Sequence, residues 1–469
     1  MMIDRPGNKI KRITAVRNLN KPVAFSRLKE IAQLPDVYSI VALGDLGDPR
    51  TETPITVGIA TKDIIYPQFC SNIVNCGICI LKTDWHEEDV DESFFEHILE
   101  KITTDFNYCP LKITREELVD ICLYGVEAIV KKHNLQKQIL DRIENNGSMF
   151  DSPDNISIYE SVPRWFFLLP SHRKIYFPNL GGNHFLEFQS VEDVVDETHA
   201  KNLGLVKGQI VLMLHTDYRF TSRLNWQYFP RLKMKDLSLY ERLIYQSSKI
   251  AFQFINKQGV LKFSERWKLY FEDNNNYFKA VDTRSREGQR VVNALNVAMN
   301  YGYAARLAFF VYLKNLFSNL SDRPSNLELI WDVAHDSIQK EKINGKEYWI
   351  ARKATSKVVP GKPAIVAGSY NMSSCLGIGL DGGDEYLKSY DHGSENVINH
   401  LEKTGKLGYT EDFTLKYKLG RNQSWDQVRK EKVRHRDSLP IKLLIDSLST
   451  NNLVQPVVWL KPIVNLKMK

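Results

Sequence analysis

Residues 180–188 read LGGNHFLEF, two glycines and a polar pair followed by a short apolar run. Glycine pairs mark turns, and FLEF has the length and aromatic content of a strand. His184 therefore stands at a turn-to-strand junction, where a side chain can face a cleft. Working outward, four more segments repeat the arrangement. Asn75-Cys76-Gly77 precedes ICIL, His215 ends IVLML, His335 follows LELIWDVA, and His392-Gly393 follows GLDGGDEYLKSYD. Taken singly, each histidine reads equally as a satisfied core residue, and Cys76 as a small buried hydrophobe. Cys76 and Cys79 form a Cys-x-x-Cys, but strand geometry over 78–81 sends the two sulfurs to opposite faces. No second pair accompanies them, which argues against a zinc knuckle.

Around these runs the pattern is mixed. DVYSIVAL (36–43) and ITVGIA (55–60) are β-branched and short, as strands are, with a turn-rich stretch from Gly44 to Pro54 between them. Thr114 with Glu117 three residues on is a capping box. It predicts a helix carrying Leu118, Cys122, Val126 and Val130, stopped at Asn145-Asn146-Gly147. A second long helix is predicted over 288–317, with Asn293, Asn296 and Asn300 as a solvated polar stripe. There is no internal repeat and no low-complexity linker. One α+β unit spanning 1–469 is the expected architecture.

The 469 residues are 43% hydrophobic and 25% charged, a globular balance that excludes wholesale disorder. The net charge of +7 permits a polyanionic partner without requiring one. The longest apolar stretch, 303–316, is interrupted by Arg306 and Lys314, so no membrane span is expected. The N-terminal MMIDRPGNKIKR lacks the apolar core of a secretory leader. Six cysteines in so long a chain are no disulfide scaffold, and a cytoplasmic location is expected.

In order, these segments resemble the RtcB family of GTP-dependent RNA ligases, from near residue 40 to the C-terminus. The family's G-G-x-N-H-F-L-E is Gly181 to Glu187 with Leu180 before it, its N-C-G is Asn75-Cys76-Gly77, and its H-x-x-x-R is His215 to Arg219. Arg352-Lys353-Ala354-Thr355 resembles R-K-G-A-T with one residue lost. Gly368-Ser369 with Ser374 resembles G-S-M-G-T-x-S, and Asn300-Tyr301 with Arg306 resembles N-Y-A-x-x-N-R. His392-Gly393 resembles the start of H-G-A-G-R, and Lys467 stands at the family's C-terminal lysine.

The resemblance implies a single large domain, with mixed sheets around a central metal cleft and peripheral helices. It implies ligation of RNA 3′-phosphate or 2′,3′-cyclic phosphate ends to 5′-hydroxyl ends through a histidine–GMP intermediate on His392, in RNA repair or tRNA splicing. Cys76, His184, His215 and His335 would hold the metal. Thiolate and imidazole favour zinc, copper or cobalt on affinity; Mn²⁺ is what the resemblance implies. The GTP co-substrate is expected at Asn183, His184, Phe185, Leu186 and Glu187, at His335 and Asp336, and at Gly368, Ser369 and Ser374. His392, Gly393, Ser394, Glu395 and Lys467 complete that set. Arg219, Arg352 and Lys353 are expected on RNA phosphate, with Arg223 and Lys357 as further contacts and Tyr218 and Trp226 for stacking. An activating protein is a further expected partner.

The departures are as informative. Ile73 stands where the family's D-x-N-C-G has its metal-binding aspartate, which predicts one firm metal and a weak or absent second. Asp336 replaces an asparagine, and either returns a carboxylate to the metal region or bonds nearby backbone. Against H-G-A-G-R the chain reads His392-Gly393-Ser394-Glu395-Asn396, so Glu395 adds a negative charge beside His392 and Asn396 removes an arginine that could grip RNA phosphate. Of M-P-D-x-H the aspartate survives as Asp45, a group that could orient a ligand, and the histidine is lost. Two other readings stay open: a relative that binds GTP or RNA ends without sealing, and a metal-dependent phosphoester hydrolase that needs neither His392 nor Lys467. Because His184 and Glu187 lie on opposite faces of a regular strand, a bulge or turn must intervene if both serve one site.

Overall fold

The runs ICIL, FLEF, IVLML and LELIWDVA become adjacent strands of one nine-stranded sheet in the computed structural model. The structure describes the chain except residues 1–8, 17–18, 20, 50–51, 71–72, 105–110, 173, 176–177, 229–237, 256, 273–277, 322, 421–422 and 469. The first eight residues of the segment read for a leader thus lie outside the described residues.

The order across the sheet is Glu328–Ala334, Gly77–His86, Gln209–Thr216, Phe185–Val194, Val454–Met468, Ser374–Gly379 and Pro363–Val366. Tyr409–Leu419 runs parallel to the end of Val454–Met468, and Arg429–Arg436 closes that edge. The central strands are apolar throughout because the sheet is covered on both faces. Cys79, Leu81, Leu186, Phe188, Leu212 and Leu214 pack with the long helix Arg286–Ser318, while Ile78, Ile80, Met213 and Val333 pack into a separate cluster on the other face. Cys79 and Cys76 accordingly part company, as the strand reading requires.

A five-stranded sheet holds Ile10–Arg12, Val37–Gly47, Ile55–Thr61, Lys346–Lys353 and Asp336–Ile343 in that order. The Val37 strand continues to Gly47, further than the turn-rich reading of 44–54, through an irregularity between Ala42 and Gly47. The chain leaves the nine-stranded sheet at Ala334 and enters this one at Asp336. His335 sits at that corner.

Two readings of helices need correction. The capping box at Thr114 forms, but the helix ends at Tyr124; Gly125 takes φ 58°, ψ −126° and a second helix runs Val126–Lys132. A Cβ at Gly125 would lie 2.1 Å from the Gly147 carbonyl oxygen, so glycine is required for the close approach. Asn300 is fully buried rather than solvated. Its amide donates to the carbonyls of Cys122 and Leu123 and its oxygen accepts from Met149 N–H, so it satisfies helix-end groups that the break leaves open.

Candidate metal and nucleotide site

Cys76 is aimed by a clamp from the long helix. Asn75 lies in the left-handed region at φ 58°. The fully buried Arg306 donates Nη1 to the Asn75 carbonyl at 3.1 Å and Nη2 to its Oδ1 at 2.8 Å, while Nε pairs with Asp332 at 2.7 Å. Asn75 N–H donates to the Asp336 carbonyl at 2.8 Å. A Cβ on Gly77 would meet Arg306 Cζ at 2.6 Å, and one on Gly302 would meet Asn75 Cγ at 2.6 Å. Asn-Cys-Gly and the glycine of the long helix are thus one packing solution.

Residues paired across antiparallel strands project to the same face. Ile78 pairs His215, His215 pairs Phe185, and Ile78 pairs Val333. His335 N–H donates to the Cys76 carbonyl at 2.9 Å, continuing that ladder past the strand ends. Cys76, His215 and His335 therefore meet at one end of this face, their ligand atoms all within 4.8 Å of one another. Cys76 Sγ lies 3.4 Å from His215 Nε2, and His215 Nε2 lies 3.2 Å from His335 Nε2. His184 precedes its strand in a turn with Gly182 at φ 65°, which brings its Nε2 to 3.2 Å from Cys76 Sγ. That turn resolves the conflict of faces between His184 and Glu187. Tetrahedral ligation at ordinary metal–sulfur and metal–nitrogen lengths needs ligand separations of about 3.4–3.6 Å, close to those observed.

Electrostatics favour a cation here. Burial holds His215 and His335 well below their ordinary pKa, so both imidazoles stay neutral and able to ligate. Burial, with Asp217 and Asp336 nearby, pushes the Cys76 thiol well up. Only a positive charge would free its proton. His184 Nδ1 and His335 Nδ1 are buried without hydrogen-bond partners. One sulfur and three neutral imidazoles suit a divalent transition-metal ion.

His392 closes the cluster from above. Its ring stacks on His335 with centroids 4.2 Å apart and planes at 22°, and lies 5.9 Å from the His215 ring. Its Nδ1 donates to the Ala354 carbonyl at 2.8 Å, which directs the lone pair to Nε2. Ala354 holds φ 52° and donates its N–H to Asp336 Oδ1 at 3.1 Å. Asp336 thus bonds nearby backbone, one of the two alternatives for it, and burial lifts its pKa to about 7.

Glu187 is buried two positions beyond Phe185 on the site face, held by the amides of Asn465 and Gln189. Lys467 Nζ bonds the Gly182 carbonyl at 2.9 Å, and Asn183 is exposed beside it. Gly368 N–H and Gln189 both donate to the Ser374 hydroxyl, at 3.0 and 3.2 Å, and Ser369 donates to Asn371 at 2.9 Å. Phe185 meets the His215 ring edge-on at 5.5 Å. Ser394 opens the helix Glu395–Lys403, with Gly393 bridged to Ala367 and Glu395 exposed.

Several expected contacts lie elsewhere. Leu186 packs in the core facing the long helix. Arg352 is fully buried, gripping Glu341 with both Nη atoms and bonding Ser389, so its charge is spent inside the fold rather than on phosphate. Lys353 is buried and bonds the Thr53 carbonyl at 2.7 Å. Tyr218 is a core residue, Arg223 bonds Ser171, and Lys357 bonds Asn145; Arg219 remains exposed. Asp45 spends its oxygens on Val397 N–H and Asn396, starting the helix after His392 instead of touching a ligand. Asp217 and Ala354 were not legible as site residues: only proximity to His215 and a shortened motif hinted at them.

The sequence model of the family described as tRNA-splicing ligase RtcB matches residues 27–468. The tRNA-splicing ligase RtcB of Thermococcus kodakarensis is 23% identical over 427 residues, covering 83% of this chain and 79% of that protein. That of Methanopyrus kandleri is 26% identical over 389 residues, 71% of this chain but 36% of that protein. RNA-splicing ligase RtcB homolog 1 of Entamoeba histolytica is 24% identical over 403 residues, 80% of this chain and 68% of that protein. The chain thus spans about a third of the length of some relatives and most of others.

Proposed function

The chain belongs to the RtcB family, and from that premise we propose that it is a GTP- and Mn²⁺-dependent RNA ligase. Its substrates are RNA 3′-phosphate or 2′,3′-cyclic phosphate ends and 5′-hydroxyl ends, in tRNA splicing or RNA repair. The reading takes residues 1–469 as one catalytic unit, acting in the cytoplasm, with an activating protein as a further partner. One observation carries it: the His392 ring stacks on His335 beside the Cys76–His215–His335 cluster, with Nδ1 tied to a carbonyl.

A divalent cation held by Cys76, His215 and His335, with His184 alongside, would neutralise triphosphate charge and stabilise the leaving pyrophosphate. His392 Nε2 attacks the α-phosphorus of GTP; a P–N bond forms and the bond to pyrophosphate breaks. Nδ1 keeps its proton, donated in a hydrogen bond to the Ala354 carbonyl, which spreads the charge developing on the ring. The RNA 3′-phosphate then displaces His392 from the guanylate, and the 5′-hydroxyl displaces GMP to seal the strand. Glu187 accepts from guanine N1–H and the exocyclic amine. Asn183, Ser369 and Ser374 border the nucleotide, and Lys467, already over Gly182, closes on the base. Arg219 is the exposed cation left to meet RNA phosphate.

Ile73 favours one alternative, a relative that takes up GMP without sealing, because its side chain offers no ligand to a second cation. Incubating the protein with GTP, Mn²⁺ and a pair of RNAs bearing a 3′-phosphate and a 5′-hydroxyl separates the two. A joined product, lost in His392→Ala, is the expected result. Guanylylated protein without joined RNA would favour the alternative, and neither product would refute both.

A further inference from the structure

His184 presents an unsolved charge problem on the side of its ring away from Cys76. Its Nε2 is 3.2 Å from the thiol, while its Nδ1 is buried with no hydrogen-bond partner. Two acceptors lie near the ring, the Gly181 carbonyl and Asp217 Oδ1, the latter 3.8 Å from Nδ1 and itself buried. That gap exceeds a hydrogen bond by nearly an ångström. A cation on Nε2 would fix the proton on Nδ1 and make an acceptor there necessary, as it is for metal-bound imidazoles generally.

The surroundings are arranged to keep Asp217 in that position. Asn179 Nδ2 donates to Asp217 Oδ1 at 2.6 Å, Asn179 N–H donates to the Asp217 carbonyl at 3.4 Å, and Thr216 Oγ1 donates to the Asn179 carbonyl at 3.0 Å. These bonds clasp the turn that carries His184 to the end of the strand that carries His215. Ile73, whose carbonyl accepts from Cys76 N–H at 3.0 Å, has a hydrocarbon side chain with no charge to offer.

We propose that Asp217 is the positioning residue of the Cys76–His184 half of the metal centre: its carboxylate accepts a hydrogen bond from His184 Nδ1–H when a divalent cation occupies Nε2, and so supplies the negative charge that position 73 lacks. The inference rests on the reading of the cluster as a metal centre. Its consequence is a second cation bound through an imidazole that borrows its basicity from Asp217, without the carboxylate becoming a ligand.

Titration of the purified full-length protein with Co²⁺ tests it, followed by the thiolate-to-cobalt charge-transfer band and the d–d bands, with bound metal counted after gel filtration. Asp217→Asn keeps the size and the oxygen that Asn179 grips, but removes the charge. The expected result is an unchanged thermal transition for the apo-protein, with the weaker cobalt site loosened by 10–100-fold and Asp217→Glu recovering part of the loss. The stronger site, read by the charge-transfer band of the first equivalent, stays as in the parent. Equal cobalt affinity of both sites in parent and Asp217→Asn would overturn the proposal while leaving the metal centre intact. A parent that binds a single equivalent, unaltered in Asp217→Asn, would also overturn it. No cobalt bound by the parent would remove the proposal together with the metal centre it rests on.

Discussion

The carboxyl of Glu187 is 1% exposed, and burial lifts its pKa to about 7 despite the amides of Asn465 and Gln189. Folded Glu187 keeps its proton across a range where an unfolded carboxyl, at its ordinary 4.5, has ionised. Its contribution to stability is therefore full below about 4.5 and is lost as pH rises through about 7. Glu187→Gln should gain melting temperature relative to the parent at pH 8 and not at pH 5, by thermal scans at both. The same titration bears on base choice, since only the ionised carboxyl accepts from two guanine N–H groups. Preference for GTP over ATP in labelling of the protein should rise between pH 6 and 8, and should be flat in Glu187→Gln. Metal loading alters both nucleotides alike, so the ratio isolates this residue. Much at this scale was readable: Cys76, His215 and His335 meet as the motifs implied. Arg352 was not, because a motif gives a residue's place and not its partner, and here Glu341 takes the charge.

Among the elements, the long helix contributes most to the centre without touching a cation. Arg306 is buried between Asp332 and the Asn75 turn, and removing one partner of a buried ion pair costs about 3–5 kcal/mol. Arg306→Met should lose stability of about that size by chemical denaturation. It should also weaken Co²⁺ binding, because Asn75 loses two of the bonds that hold its left-handed turn. Gly302→Ala tests the same clamp from the helix side, since its Cβ would meet Asn75 at 2.6 Å. It should lower cobalt affinity while leaving the helix ends, read by circular dichroism, unchanged. The helix itself was legible from periodicity, expected over 288–317 and found at Arg286–Ser318. The break at Gly125 was not, because Leu118, Cys122, Val126 and Val130 keep the same periodicity on either side of it. Asn300 was misread for the same reason: the carbonyls it satisfies exist as open acceptors only once the preceding helix has broken.

At the scale of the whole molecule, two sheets share the corner at His335, and the soft ligands collect where strands of the larger sheet end. That convergence spans residues 76 to 335 and could be anticipated only from the ordered motifs, since no local pattern encodes which strand ends meet. Among the described residues, no helix is long and apolar enough to cross a membrane. If the chain acts on RNA ends as proposed, their affinity should come largely from phosphate neutralisation, which the formal charge of +7 permits. Binding of a labelled 3′-phosphate RNA should weaken steeply from 50 to 200 mM salt, with a slope near −0.7 per phosphate contact. Arg219→Ala should reduce that slope by about 0.7 and Arg352→Lys should leave it unaltered.

The account depends on a thiol and imidazoles readying GTP for capture by a stacked histidine, and label transfer tests this most directly. The protein is mixed with α-phosphate-labelled GTP and Mn²⁺, denatured, and examined for bound label before and after acid. The predicted result is an acid-labile, alkali-stable label on the parent, absent from His392→Ala and strongly reduced in Cys76→Ala. No label on the parent, or label that survives in His392→Ala, would contradict it.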